Sequence, residues 1–281
     1  MKNGYILYNP ISGNGLDEAN LAHLEQEMDA KLAKRNVTEI KDYAALFATI
    51  RADEMIIIAG GDGTLNHFAN NADGLELPCP VYFYPCGTGN DFARDCDKES
   101  LCKPFEVTQY LKDLPVVEVK GRKYRFINGV GFGIDGYCCE IGDEMRKVPG
   151  KNVNYTAIAI KGLLFDYVPV DATVTVDGVV HEFKKVWLAP AMFGRFYGGG
   201  MLPAPEQNRN CDHLSVMVFH RSAKLPTLMI FPGIFKGKHV KKEKFVKVLT
   251  GKEITVEFAQ PRPLQVDGET ILNVRSYTAK R

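Results

Sequence analysis

Asp62 stands among Gly60, Gly61 and Gly63 where the apolar run "MIIIA" ends, and Thr64, Leu65 and Asn66 follow it. Glycine puts no Cβ between an amide and a ligand and tolerates positive φ, so backbone N–H groups can point at phosphate oxygens. "YNPISGNG" and "PCGTGND" repeat the design. One such loop serves as a turn; three on one sheet edge point to a polyphosphate. The chain has no GxxxxGK[ST] and no HRD or DFG set, so the site is of neither the Walker nor the protein-kinase type. "GFGIDG", residues 131–136, has the GxGxxG spacing of a dinucleotide site. It lies outside the strand–helix series, which ranks hydride transfer below phosphoryl transfer.

The loops need a scaffold, and the first third of the chain alternates strand with helix. Residues 4–10 read as a strand, and Leu21, Leu24, Met28 and Leu32 recur at helical spacing behind an Asp17 N-cap. A second strand is expected over 37–40, then a helix on Tyr43, Leu46, Phe47 and Ile50. "MIIIA" is the third strand, a helix carries Leu65, Phe68, Ala69 and Ala72, and "PVYFYP" is the fourth strand. Such alternation predicts a parallel sheet with ligands bound beyond the carboxyl ends of its strands. From about residue 116 the period becomes two: Val170, Ala172, Val174 and Val176 alternate with polar residues up to a DG turn, and "KEITVEF", "KKVWLA" and "LSVMVF" are strand-like. Helical stretches near 153–165 and 224–238 interrupt this half and read as core-facing.

The 281 residues suit two modest domains, and a hydrophobic share of 45% with 25% charged residues is that of a soluble globular protein. A formal charge of +1 gives no overall signal for nucleic acid, so attraction to a charged partner has to be local. Seven cysteines without zinc-ribbon spacing read as reduced cytosolic thiols. With no leader and no apolar run of membrane-spanning length, the expectation is a protein neither secreted nor membrane-spanning.

"YNPISGNG", "AGGDGTLN", "PCGTGNDFAR", "NGVGFGID", "FYGGGMLPAP" and "LQVDGE", in this order, resemble the diacylglycerol kinase catalytic-domain family, soluble lipid kinases that include sphingosine kinases and YegS-type bacterial enzymes. GGDG alone is shared with NAD kinases and 6-phosphofructokinases; the GTxNDFAR and DGE blocks narrow the likeness to lipid kinases. The resemblance implies ATP as co-substrate, with Asn9, Ser12 and Gly13 in the first nucleotide loop and Thr38 beside them. Gly60 to Asn66 would form the second loop and Gly87, Thr88, Asn90 and Asp91 the third. Asp62 would hold the Mg²⁺ that bridges the phosphates, an ion that takes few protein carboxylates. As an exposed loop residue it would have little packing to lose on substitution.

In the second half the resemblance makes Glu269 the proton acceptor for the lipid hydroxyl, with Asp267 beside it; without the family, "DGE" reads as a solvated hairpin turn. "PEQNRNCDHLSV" is similar to the family's structural Mg²⁺ loop, with Asp212 as side-chain ligand and Arg209 and Leu214 offering carbonyls. His213 replaces a usual glycine there, and Phe193 stands near a usual asparagine. The expected architecture is an α/β nucleotide domain over 1–115 and a β-rich, sandwich-like lipid-substrate domain over 116–275, with 276–281 returning to the first. ATP and the acceptor are expected to meet in the cleft between the domains. The implied enzyme is an ATP-dependent kinase of a lipid alcohol such as diacylglycerol, cytoplasmic, with a homodimer compatible with it. The lysines of "KGKHVKKEKFVK", residues 236–247, suit peripheral contact with an anionic membrane. The alternatives are an NAD kinase and a catalytically silent lipid or nucleotide sensor.

Overall fold

The computed structural model describes residues 2–10, 18–147 and 153–281. The chain divides into two compact units, Met1–Leu114 and Pro115–Arg281.

The first unit holds β1 (Lys2–Tyr8), α1 (Glu18–Met28), β2 (Ala30–Asn36), α2 (Tyr43–Phe47), β3 (Met55–Gly60), α3 (Asp62–Asn71), β4 (Val81–Pro85), α4 (Asp91–Asp95), β5 (Phe105–Glu106) and α5 (Thr108–Leu111). Its sheet runs β2-β1-β3-β4-β5; the first four strands are parallel and short β5 is antiparallel on the edge. β3 is buried at every position, as a strand covered on both faces must be. Tyr8 pairs with Asn36 and Ala59, and Gly60 with Pro85, so the four strands end level and their loops open on one edge. Phe92 anchors α4 there, stacked on Phe105 and edge-on to Phe83 and Tyr110.

The expected boundary between the first helix and the second strand fails, and the helix expected to reach Ile50 ends at Phe47. Leu32 belongs to β2 rather than to the first helix, and residues 37–40 follow the strand instead of forming it. The helix stops at Met28, Asp29 turns with φ 46°, and Ala30 and Leu32 point inward from the edge strand while Lys31, Ala33, Lys34 and Arg35 stay exposed. Cations on an edge strand discourage pairing with other chains, and here they also hide its period. Asp17 lies outside the described residues.

The second unit holds β6 (Val116–Val119), β7 (Arg122–Arg125), β8 (Gly129–Phe132), α6 (Ile134–Arg146), α7 (Tyr155–Lys161), a π-helical turn (Gly162–Asp166), β9 (Val170–Val176), β10 (Val179–Val186), β11 (Ala191–Met192), β12 (Leu214–Phe219), α8 (Lys224–Ile230), two 3-10 turns (Phe231–Lys236 and Lys238–Lys241), β13 (Val246–Gly251), β14 (Glu253–Val266) and β15 (Glu269–Lys280). Strand β14 organises it. Its first part pairs with β9 and its last residues with β8, with register shifts between Glu257 and Leu264, where Pro261 and Pro263 interrupt the ladder. The core carries Phe132 stacked on Phe258 at 4.1 Å and Trp187, whose indole donates to the Ser222 carbonyl. Residues 276–281 do not return to the first unit: β15 pairs with β14 and β6 up to Lys280. Tyr277 and Ala279 alternate with less buried residues, and with Val274, which lies beyond a register shift in the ladder, they enter the second core.

Candidate functional site

At the carboxyl edge of the first sheet, Asp62 opens α3, and its carboxylate reaches across to α4. Oδ2 accepts from the Asp91 N–H at 2.9 Å and Oδ1 from the Phe92 N–H at 2.8 Å. The side chain is half-buried and ties the second glycine loop to the third, against the expectation of an exposed residue with little to lose. Two charge-assisted hydrogen bonds contribute about 1.5–3 kcal/mol each.

Asn90, buried with φ 52°, braces the third loop from within: Oδ1 accepts from the Gly87 N–H, and Nδ2 donates to the Gly87 carbonyl and to Ser100 Oγ. Asp91 is buried and accepts from Arg94, whereas Thr88 is exposed at the loop's tip. The glycines allow the loops to touch: a Cβ on Gly87 would stand 2.3 Å from Gly61 Cα, and one on Gly60 2.4 Å from Thr64 Oγ1, while Gly63 faces open space. Gly87→Ala is therefore expected to force the loops apart and to lower stability by about 1–3 kcal/mol, read from a denaturant midpoint. An unchanged midpoint would show that the loops yield freely.

Thr38 closes an Asx turn on Asn36 at the end of β2, and Asn9 follows β1. Leu65 and Asn66 are buried in α3, with Asn70 donating to Asn66. Ser12 and Gly13 lie outside the described residues. Among the described residues no group of three or more His, Cys, Asp or Glu side chains is placed to hold a metal ion. Asp62 is the residue that could hold a nucleotide-borne Mg²⁺, an ion that would take few protein carboxylates.

In the second unit "DGE" forms the two-residue turn between β14 and β15, with Val266 opposite Glu269, Asp267 at φ 45° and Gly268 at φ 97°. The Asp267 side chain turns inward and accepts from the N–H groups of Ile127, Asn128 and Gly129. It is a brace, which leaves Glu269, exposed at the start of β15, as the turn's outward carboxylate.

Behind the turn lies a group that sequence reasoning missed. Asp135, buried in the first turn of α6, accepts from the Gly136 N–H and from the Tyr197 hydroxyl at 3.1 Å, and from Gln265. Gln265 Oε1 in turn accepts from the Gly268 N–H at 2.7 Å. "GFGIDG", "FYGGGM" and "LQVDGE" thus meet around one carboxylate. The glycines of "GFGIDG" serve this packing rather than a dinucleotide: a Cβ on Gly131 would stand 1.7 Å from Asp135 Oδ2, and one on Gly136 2.0 Å from the Pro263 carbonyl. An aspartate opening a helix among such glycines was the available signal.

Burial raises the Asp135 carboxyl to about 6. The folded protein then holds a proton that the unfolded chain releases from about pH 4 upward, so this contribution to stability is complete at low pH and is lost as pH rises through 6. Asp135→Asn removes the titration. Measured by denaturant midpoints, the parent is expected to lose about 2–3 kcal/mol relative to the variant between pH 4 and 7. A difference that stays flat with pH would place the titration elsewhere.

The loop expected to hold a structural Mg²⁺ carries its side-chain carboxylate on the surface. Asp212 is exposed and paired with Lys252 Nζ at 2.6 Å, with His213 at 3.7 Å. Arg209 is buried and donates to the Ile127 carbonyl and to Asn128, its guanidinium over Phe193. Leu214 opens β12 opposite Gly251. The hydrogen bond and charge of Lys252 lower the Asp212 pKa.

Comparison with known proteins agrees with this geometry. The family described as "Diacylglycerol kinase catalytic domain" matches residues 3–115, and the one described as "YegS C-terminal NAD kinase beta sandwich-like domain" matches residues 128–277. A diacylglycerol kinase of Bacillus subtilis (strain 168) is 24% identical, with 96% of this chain and 90% of that protein covered. One of Mycobacterium tuberculosis (strain H37Rv) is also 24% identical, over 92% of this chain and 90% of its own. The crystal structure of a diacylglycerol kinase from Bacillus anthracis str. Sterne has the same fold, with a TM-score of 0.61 at 18% identity, covering 100% of this chain and 94% of that one.

Proposed function

Because the chain belongs to the diacylglycerol kinase catalytic-domain family, we propose that it transfers the γ-phosphoryl group of Mg·ATP to the hydroxyl of a lipid alcohol such as diacylglycerol. The observation that carries this reading is the Asp62 carboxylate, which fastens one glycine-rich loop to another at the edge where four parallel strands end. Loops held this way present N–H groups to phosphate oxygens, and Asp62 orients the Mg²⁺ carried by the nucleotide. Phosphoryl transfer depends mainly on positioning and on neutralising charge, which such a cradle supplies.

Glu269 acts as proton acceptor for the lipid hydroxyl, while Asp267 and Asp135 hold its turn in place. Asn9, Thr38, Thr88 and Asn90 contact or shape the nucleotide site. The match to the diacylglycerol kinase catalytic domain favours this over an NAD kinase with the same GGDG loop. The enzyme is cytoplasmic and meets its lipid peripherally; among the described residues no helix is long and apolar enough to cross a membrane. Incubating the pure protein with γ-labelled ATP, Mg²⁺ and a panel of lipid alcohols tests the proposal. Label in diacylglycerol or another lipid alcohol is the expected result, and label in NAD alone would overturn it.

A further inference from the structure

The two helical stretches expected to face the core do so with one side only. α7 and the π turn bury Ile158 and Leu163 but leave Ile160 45% and Phe165 71% exposed. α8 buries Thr227 and packs Leu228 and Ile230 on the core, yet Leu225 and Met229, one helical turn apart, are 66% and 70% exposed. Lys224 stitches the segments together, its ammonium donating to the Leu164 carbonyl at 2.9 Å and to that of Phe165 at 3.4 Å. Single exposed apolar residues are ordinary on a protein surface, whereas large ones gathered from two adjacent segments mark a docking surface.

The chain leaving α8 identifies the occupant. Residues 236–247 carry six lysines against one glutamate, in a protein of net charge +1. Lys236, Lys238, Lys241, Lys242 and Lys244 are all exposed, and Phe235, 46% exposed, sits at the head of the run. Apolar side chains on short helical pieces, continuous with a dense cationic stretch, match the two layers of an anionic bilayer surface: acyl chains below, phosphates above. We propose that Phe165, Leu225 and Met229 insert into the interface of an anionic membrane while the lysines of 236–244 hold its headgroups. This rests on the lipid-kinase reading for its purpose but not for its test.

The test is flotation of the full-length protein with vesicles of phosphatidylglycerol and phosphatidylcholine, beside phosphatidylcholine alone. The parent is expected to bind the anionic vesicles and to lose binding as salt rises, since surface attraction is screened over about 8 Å at physiological ionic strength. Phe165→Gln, Leu225→Gln and Met229→Gln together, all at exposed positions, should keep the melting temperature and weaken binding roughly tenfold per side chain. Lys238, Lys241, Lys242 and Lys244 changed to Gln should weaken it by roughly fivefold each. Both variants should phosphorylate a dispersed short-chain lipid alcohol at the parental rate. Parental vesicle binding by the triple variant would overturn the proposal, as would a parental dimer that this variant dissolves, because a second copy would then cover the face. Failure to label any lipid alcohol would instead count against the kinase reading and leave the vesicle result standing.

Discussion

Asp62→Asn should abolish turnover and also lower the thermal midpoint. Asparagine presents one acceptor oxygen where aspartate presents two, so one of the N–H groups of Asp91 and Phe92 loses its partner, and the remaining bond loses its charge. At about 1.5–3 kcal/mol for a hydrogen bond to a charged group, the loss of stability should be about 2–4 kcal/mol. The activity loss has two sources, since the neutral side chain neither orients Mg²⁺ nor holds the third loop to the second. Rates at saturating Mg·ATP together with a melting curve separate them. Parental turnover in a variant that melts lower would make Asp62 a brace alone. An unchanged midpoint with no turnover would show that the two amides matter little to the fold.

Such braces mark where sequence reasoning stops. Periodicity located β3, α3 and β4, because a strand buried on both faces and a helix with one apolar stripe carry their pattern within a few residues. It misplaced β2 because Leu32 continues the spacing of Leu24 and Met28, and because lysines on an edge strand resemble those on a helix. The convergence of the glycine loops was legible since the parallel order of strands sends them to one edge. What Asp62, Asp135 and Asp267 grip was not legible. Asp267 meets amides 138 to 140 positions away, and no local spacing encodes such a contact. The apolar face beside α8 was hidden for another reason: a helix packed on one side and bare on the other has the composition of a core helix, and only burial tells Leu228 from Met229.

The division of labour within the "DGE" turn leads to the remaining large effect. Asp267 is engaged by three backbone N–H groups, so the turn's outward carboxylate is that of Glu269, exposed two residues later. An alcohol loses its proton as it attacks phosphorus, and a positioned base contributes roughly 10²–10⁴-fold to such a step. Glu269→Gln keeps the size and can still accept a hydrogen bond but cannot take the proton. It should lower kcat by about 10²-fold, the lower end of that range, because a loose metaphosphate-like transition state asks little of a base. The melting temperature should hold, as the side chain is exposed, and the Kd for Mg·ATP should hold too, as the nucleotide loops belong to the first unit. Asp267→Asn should behave differently, costing stability as well as rate, since it weakens the clamp on residues 127–129 and shifts the turn. A pre-steady-state measurement of the chemical step distinguishes the roles. An unchanged step in Glu269→Gln, or a loss confined to Mg·ATP affinity, would remove Glu269 as the proton acceptor and leave the turn a positioning device built on Asp267, Gln265 and Asp135.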